Sequence, residues 1–177
     1  MTSHEAEIKV RPITLEDLDT IFLIDQKIRE LRKAITYVNL TTEHIFAIER
    51  TTSFQEKPTS YAGLITGGVG KLLEHGFVAE VEGLVCGFIL GRVAYVGEPA
   101  TQVGSIIILG VHPDYWRGDI GTQLVDAICE KYCSKGIKTV HTRIDQRDKP
   151  LLGFFERMGF TVGHLIDYSK SIESIES

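Results

Sequence analysis

The sequence is short of cysteine, of tryptophan and of net positive charge, and these shortages exclude several classes of protein. Its three cysteines, Cys86, Cys129 and Cys133, cannot make a disulfide framework. Cys129 and Cys133 stand four apart on a predicted helix, with no nearby His or Cys to complete a ligand set. They read as buried small apolar residues, and no metal is expected. Lys and Arg number 19 against 24 Asp and Glu, a net charge of −5. A nucleic-acid partner is therefore not expected, whereas an acidic surface suits a cationic acceptor such as an amine. No apolar run approaches the roughly 20 residues that span a bilayer. The opening MTSHEAEIKV has neither the basic start nor the apolar core of a secretory signal. The expectation is a cytoplasmic chain with no membrane partner.

What is present suits one domain over residues 1–177, with residues 1–7 and 170–177 frayed. Residues 8–13 alternate and predict a strand, with Pro12 at its edge or end. Thr14 and Asp17 form a variant capping box ahead of Leu15, Leu18, Ile21, Ile24, Ile28 and Leu31, which keep helical spacing. Thr41-Thr42-Glu43 is placed to cap a second helix. GLITGGVGK (63–71) imitates a nucleotide-binding loop, but Ile65 and Leu72 stand where that motif needs Gly and Ser or Thr, so a plain loop is expected. Residues 76–82 and 84–93 predict a hairpin about Gly83. Residues 103–111, with four successive apolar residues from Ile106, predict a central strand covered on both faces. A helix from Ile120 to Gly136, a strand over 137–144, a short helix over 150–158 and a last strand over 160–168 complete the order β-α-α-β-β-β-α-β-α-β. The fold class is α/β, of the mixed α+β kind: a central mixed, mostly antiparallel sheet with helices on both faces.

LGVHPDYWRGDIGTQLV (109–125) carries the chemistry. Pro113 ends a strand, and Gly118 and Gly121 flank a helix start. The unpaired amides and positive dipole end of a helix N-terminus bind anions, and Arg117 adds a charge that pairs with phosphate. An ordinary glycine turn between strand and helix would look the same locally.

Over nearly its whole length the chain resembles the GNAT superfamily of acyl-CoA-dependent N-acyltransferases. VRPITLEDLDTI (10–21) is similar to that family's first strand and helix. VAEVEGLVCGFILG (78–91) is similar to its central hairpin, LGVHPDYWRGDIGTQLV to its coenzyme A motif, and GFFERMGF (153–160) to its final helix and turn. The family motif runs Val-x-Pro, two residues, then Arg/Gln-x-x-Gly-x-Gly/Ala. Val111, Pro113 and Gly121 match. Trp116 falls where Arg or Gln is usual, and Asp119 where the first Gly is usual. Two readings of Asp119 stand: it turns outward and leaves Arg117, Gly118, Ile120, Gly121 and Thr122 as the cradle, or it caps the helix itself.

The resemblance implies acetyl-CoA as co-substrate. It would be bound by Leu109, Val111, Trp116, Arg117, Gly118, Asp119, Ile120, Gly121, Thr122 and Asp148, the last standing where an Asn often helps position coenzyme. The strand ending at Val111 should splay from the 137–144 strand. The coenzyme arm would then pair with Leu109 and Val111, and the Val111 N–H would hold the thioester oxyanion. Ile107 stands where many members carry a Glu base and Phe155 where many carry a Tyr acid, so base and acid are unassigned. Glu80, Glu82 or a His could hold a water for the amine proton, and Tyr168 and His141 are stand-ins for the acid. Acid–base groups supply about 10² to 10⁴ in rate and proximity about 7–11 kcal/mol, so transfer survives without them. The implied activity is transfer of an acetyl group to a primary amine. The alternative is a non-catalytic acyl-CoA-binding or partner-binding module on the same scaffold. The exposed edge of the 160–168 strand suggests a homodimer.

Overall fold

In the computed structural model, which describes residues 7–31 and 73–164, apolar alternation builds a five-stranded sheet in the order β1-β2-β3-β4-β5. β1 (Ile8–Pro12), β2 (Phe77–Val81), β3 (Leu84–Val96) and β4 (Thr101–Val111) pair antiparallel in sequence order, and β5 (Val140–Thr142) adds parallel to β4. Glu82 and Gly83, with φ of 53° and 79°, make the tight turn of the predicted hairpin. The expected mixed, mostly antiparallel sheet is present, and helices cover both its faces. α1 (Leu18–Glu30) lays Leu18, Ile21, Ile24 and Ile28 on Val78, Phe88, Leu90 and Ile108. α2 (Ile120–Ser134) lays Ile120, Leu124, Val125, Ile128 and Tyr132 on Ala79, Ile89 and Ile106 on the other side. α3 (Lys149–Arg157) follows β5 and sends Phe155 into the α2 side.

The run of apolar residues in β4 contains a break in alternation. Leu90 pairs with Ile108 but Gly91 with Ile106, so Ile107 is an extra residue bulged out of the β3–β4 ladder. Ile106 and Leu109 therefore pack on the α2 side, and Ile107 and Ile108 on the α1 side. The bulge resets which backbone groups the last residues of β4 turn outward.

Tyr132 locks α2 to the sheet. Its fully buried ring sits where Gly91 and Gly104 leave the strands bare, and a Cβ on Gly104 would stand 2.6 Å from Cε2 of that ring. The hydroxyl reaches the carbonyls of Ser105 at 3.1 Å and Arg92 at 3.2 Å. Burial pushes the phenol well above its ordinary pKa, so it stays neutral and a donor.

On the opposite face, Asp17 Oδ2 accepts from the Thr14 amide at 2.7 Å and from its hydroxyl at 3.0 Å, as the capping pattern predicts. Arg11 forks across to both Asp17 oxygens at 2.7 and 2.8 Å and meets Glu80 at 2.6 Å. The guanidinium holds the buried Asp17 carboxyl below the usual carboxylate range. A depressed pKa contributes stability above the group's unfolded value and loses it as pH falls through the folded value. Arg11→Ala should therefore cost about 2–3 kcal/mol at pH 7, for a partly exposed pair that leaves a buried carboxylate behind. The gap to the unaltered chain should narrow below pH of about 4, as Asp17 protonates. Urea denaturation at the two pH values measures both.

Several expectations change. The 137–144 strand is only Val140–Thr142, because the Ile137 amide is tied 3.0 Å from the Tyr132 carbonyl in the turn that ends α2. That turn passes through Gly136 at φ 78°, the left-handed stop expected of it. Residues 160–164 carry no strand. The rest of the expected 160–168 strand lies outside the described residues, as do Tyr168, the capping triplet 41–43 and the loop 63–71. The edge invoked for a homodimer is thus not formed over 160–164. Of the two cysteines read as buried, Cys129 is half-buried and Cys133 is exposed; Cys86 is buried. Among the described residues no helix is long and apolar enough to cross a membrane, and no group of three or more His, Cys, Asp or Glu residues could hold a metal ion.

Candidate functional site

β4 and β5 share only the register Gly104–Ile106 against Val140–Thr142. The Thr142 hydroxyl then takes the Ile106 carbonyl at 3.3 Å and the pairing stops. Past the bulged Ile107, β4 runs on to Val111, paired among the described residues to β3 alone. At about 3.3 Å per residue, Ile107 to Val111 is roughly 16 Å of strand without a partner on its second side among the described residues. The direction of its polar groups follows from one hydrogen bond. The His112 amide donates to the Cys86 carbonyl on β3 at 2.7 Å. The Val111 carbonyl, across the same peptide, therefore points away from β3, and the Val111 N–H points the same way. Two residues back, Leu109 does likewise. The splay expected from the sequence exists, and Leu109 and Val111 turn their backbone groups into it.

Past Val111 the chain makes the turn Pro113–Tyr115, in which the His112 ring Nδ1 accepts from the Asp114 amide at 3.2 Å. Tyr115 packs on the α2 side of the core, with its ring edge-on to His112. Arg117 and Asp119 both adopt left-handed backbone, at φ 72° and 64°. This gives the Asp119 departure a physical account. The position needs a φ that Gly takes freely, and Asp is among the few other residues that tolerate it. Its side chain is exposed and makes no capping hydrogen bond. The capping reading is overturned, and the exposed side chain agrees with the outward one. The amides of Ile120, Gly121 and Thr122 are left as first-turn donors without intrahelical acceptors. Ile120 is fixed in the core, and Gly121 faces the Phe154 ring of α3, which a Cβ would meet at 3.4 Å. Arg117 and Gly118 are exposed on the loop.

Asp119→Gly follows as a test. It should raise stability by about 0.5–1 kcal/mol by relieving the left-handed backbone. With no cap to lose, anion affinity at the loop should rise by less than about threefold, and that rise should vanish at high salt. Calorimetric titration at two ionic strengths measures it.

The other assigned residues fall as follows. Asp148 caps α3, its Oδ1 accepting from the Leu151 amide at 3.0 Å. Ile107 is the bulge residue, half-buried against the apolar cluster under α1. Phe155 is buried between Phe154 and Phe160, ring centroids 5.1 and 5.0 Å away, both edge-on. Neither can move a proton. Glu80 is committed to Arg11, and Glu82 sits exposed in the β2–β3 turn. His141 is exposed on β5, paired with Ser105. One contact has no signal in the sequence: the Trp116 indole N–H donates to the Val111 carbonyl at 2.6 Å. A shallow cleft along α2 beside β1 and β2 is lined by Asp126, Glu130 and Lys131, a net negative charge that opposes an anion. The open strand end and the helix start are thus the parts of this face suited to an extended, phosphate-bearing ligand.

The chain matches the family model described as acetyltransferase (GNAT) family over residues 40–160. It is 27% identical over 95 residues to an acetyltransferase of Pectobacterium atrosepticum, an alignment covering 54% of this chain and 63% of that protein, so the chain spans under two thirds of that relative. Its fold is similar to the aminoglycoside acetyltransferase meta-AAC0020 from an uncultured soil metagenomic sample, with a TM-score of 0.60, 20% identity and coverage of 94% of this chain and 97% of the other. It is also similar to AAC(6')-Iy in complex with a bisubstrate analog of coenzyme A and acetylneamine, with a TM-score of 0.62, 15% identity and coverage of 94% and 100%.

Proposed function

Because the chain belongs to the GNAT acetyltransferase family, we propose that it transfers an acetyl group from acetyl-coenzyme A to a primary amine by direct attack. The observation that carries this reading is the splay, in which β4 continues from Ile107 to Val111 after its pairing with β5 has ended. An arm carrying amides adds to that edge as a short extra strand. Leu109 and Val111 offer it donors and acceptors. The pyrophosphate lies on the Ile120, Gly121 and Thr122 amides, with Arg117 beside it and Gly118 keeping the loop low. Trp116, Asp119 and Asp148 border the site rather than cradle the phosphates. The Val111 N–H receives the thioester carbonyl and the negative charge that grows on its oxygen.

The amine nitrogen forms the new C–N bond, the C–S bond breaks, and the coenzyme leaves as a thiolate. A thiol with a pKa near 8.5, by analogy with cysteine, is a good enough leaving group to need little help from an acid. The amine proton passes to water, since Ile107 and Phe155 cannot take it and Glu80 is held by Arg11. Holding amine and thioester together is then the main contribution of the protein. The net charge of −5 favours a cationic acceptor. The reading places the reaction in the cytoplasm.

A second reading is favoured by the apolar, packed surroundings of Ile107 and Phe155: a module that binds acyl-CoA and no longer transfers. One experiment separates the two. Purified protein is assayed for thermal stabilisation by acetyl-CoA and for free-thiol release with a panel of amines. Aminoglycosides are included because solved proteins of similar fold are named as acetylating them. Stabilisation with thiol release that depends on the amine supports the enzyme. Stabilisation without release across the panel supports the binding module. No stabilisation contradicts both.

A further inference from the structure

The Val111 carbonyl is the last acceptor on the open edge of β4, and it is already taken. Trp116, the only tryptophan in the chain, donates its indole N–H to it at 2.6 Å. The carbonyl points away from β3, so the indole approaches from the side on which an extended ligand would add. Trp116 belongs to the phosphate loop and sits next to Arg117, whose φ is 72°; Asp119 follows at 64°. The indole therefore ties a backbone-strained loop to the strand end. It is partly exposed, 42% of its surface facing solvent, and among the described residues it is not part of either apolar cluster.

We propose that Trp116 is a latch on the coenzyme groove. Its indole stands in for the ligand's amide on the Val111 carbonyl, and the arm of the coenzyme must displace it to pair with the strand. The inference rests on the reading that this groove takes coenzyme A. It adds a competing contact within the protein that weakens binding and couples arm docking to movement of the phosphate loop. A ligand with phosphates but no arm binds without disturbing the latch.

The test uses the unaltered chain and Trp116→Phe, with acetyl-CoA and its nucleotide half, 3′-phospho-ADP, as probes. Because Trp116 is the only tryptophan, emission excited at long wavelength reports this side chain alone. Acetyl-CoA should shift the emission of the unaltered chain, and 3′-phospho-ADP should leave it in place. Trp116→Phe keeps a ring but removes the donor. It should bind acetyl-CoA about fivefold more tightly, the worth of one net neutral hydrogen bond, and 3′-phospho-ADP equally well.

Emission that ignores acetyl-CoA, or responds equally to both probes, overturns the latch. So does equal or weaker acetyl-CoA binding by Trp116→Phe. Calorimetry on both proteins separates this from failure of the coenzyme reading, in which neither protein binds acetyl-CoA and the latch falls with the site. Should Trp116→Phe not fold, the emission comparison on the unaltered chain decides alone.

Discussion

Gly104→Val should unfold the protein at physiological temperature, with a loss of about 4 kcal/mol or more in urea denaturation. A Cβ at this position would lie within 2.7 Å of three atoms of the Tyr132 ring, Cδ2, Cε2 and Cγ, far inside any real contact. The ring cannot slide away. It is fully buried, and its hydroxyl is held by two carbonyls, on Ser105 and Arg92. Overpacking alone costs about 1–3 kcal/mol. Expelling the ring loses the burial of a large aromatic, about 3–5 kcal/mol, out of a total stability of about 5–15 kcal/mol. The cause can be isolated by a double-mutant cycle. Tyr132→Ala vacates the space that the introduced isopropyl group needs, so the pair should be at least about 1.5 kcal/mol more stable than the sum of the single changes. Additivity would place the strain elsewhere.

The second large effect is on binding. Gly121→Trp should weaken acetyl-CoA by at least about 100-fold, while Gly121→Ala should change it by less than about threefold. The contrast follows from the space around the helix start. A methyl at Gly121 meets Phe154 at 3.4 to 3.5 Å, which is ordinary contact. An indole must either push Phe154 off the end of α2 or turn over the first-turn amides that the phosphates use. Loss of those donors to a doubly charged pyrophosphate exceeds the worth of any single neutral hydrogen bond. Calorimetric titration gives the affinity, and circular dichroism of the unliganded variant shows that the fold survives. Unchanged affinity in Gly121→Trp would place the phosphates somewhere other than the α2 N-terminus.

The parts of this account that were legible in the sequence are those set by periodicity and by backbone-special residues. Helical spacing from Ile120 to Tyr132, the stop at Gly136 and the hairpin at Gly83 each follow from local chemistry, and each is where it was expected. The Thr14–Asp17 cap is equally local. The bulge at Ile107 could not be seen. Ile106 to Leu109 are all apolar, and such a run reads the same whether or not alternation breaks within it. Yet the bulge decides that Leu109 and Val111, not their neighbours, face the splay. The length of β5 was overestimated because a strand pattern does not record that Ile137 is bound into the helix end before it. Whether Asp119 turned outward or capped the helix was open in the sequence, because Asp commonly caps; its left-handed φ and missing cap hydrogen bond show that it stands in for a glycine. The Trp116 contact joins a loop side chain to a backbone carbonyl five residues earlier, and no periodicity encodes that.

The central claim is that coenzyme A lies along the open edge of β4 with its phosphates on the α2 N-terminus. Site-resolved titration of the backbone amides by NMR tests it most directly. With acetyl-CoA, the account predicts that the largest shifts fall on Leu109, Val111 and Gly118 and on Ile120 to Thr122, with β1 and β2 nearly still. Shifts that leave Leu109 and Val111 unmoved, or that concentrate on the β1–β2 edge, would contradict it.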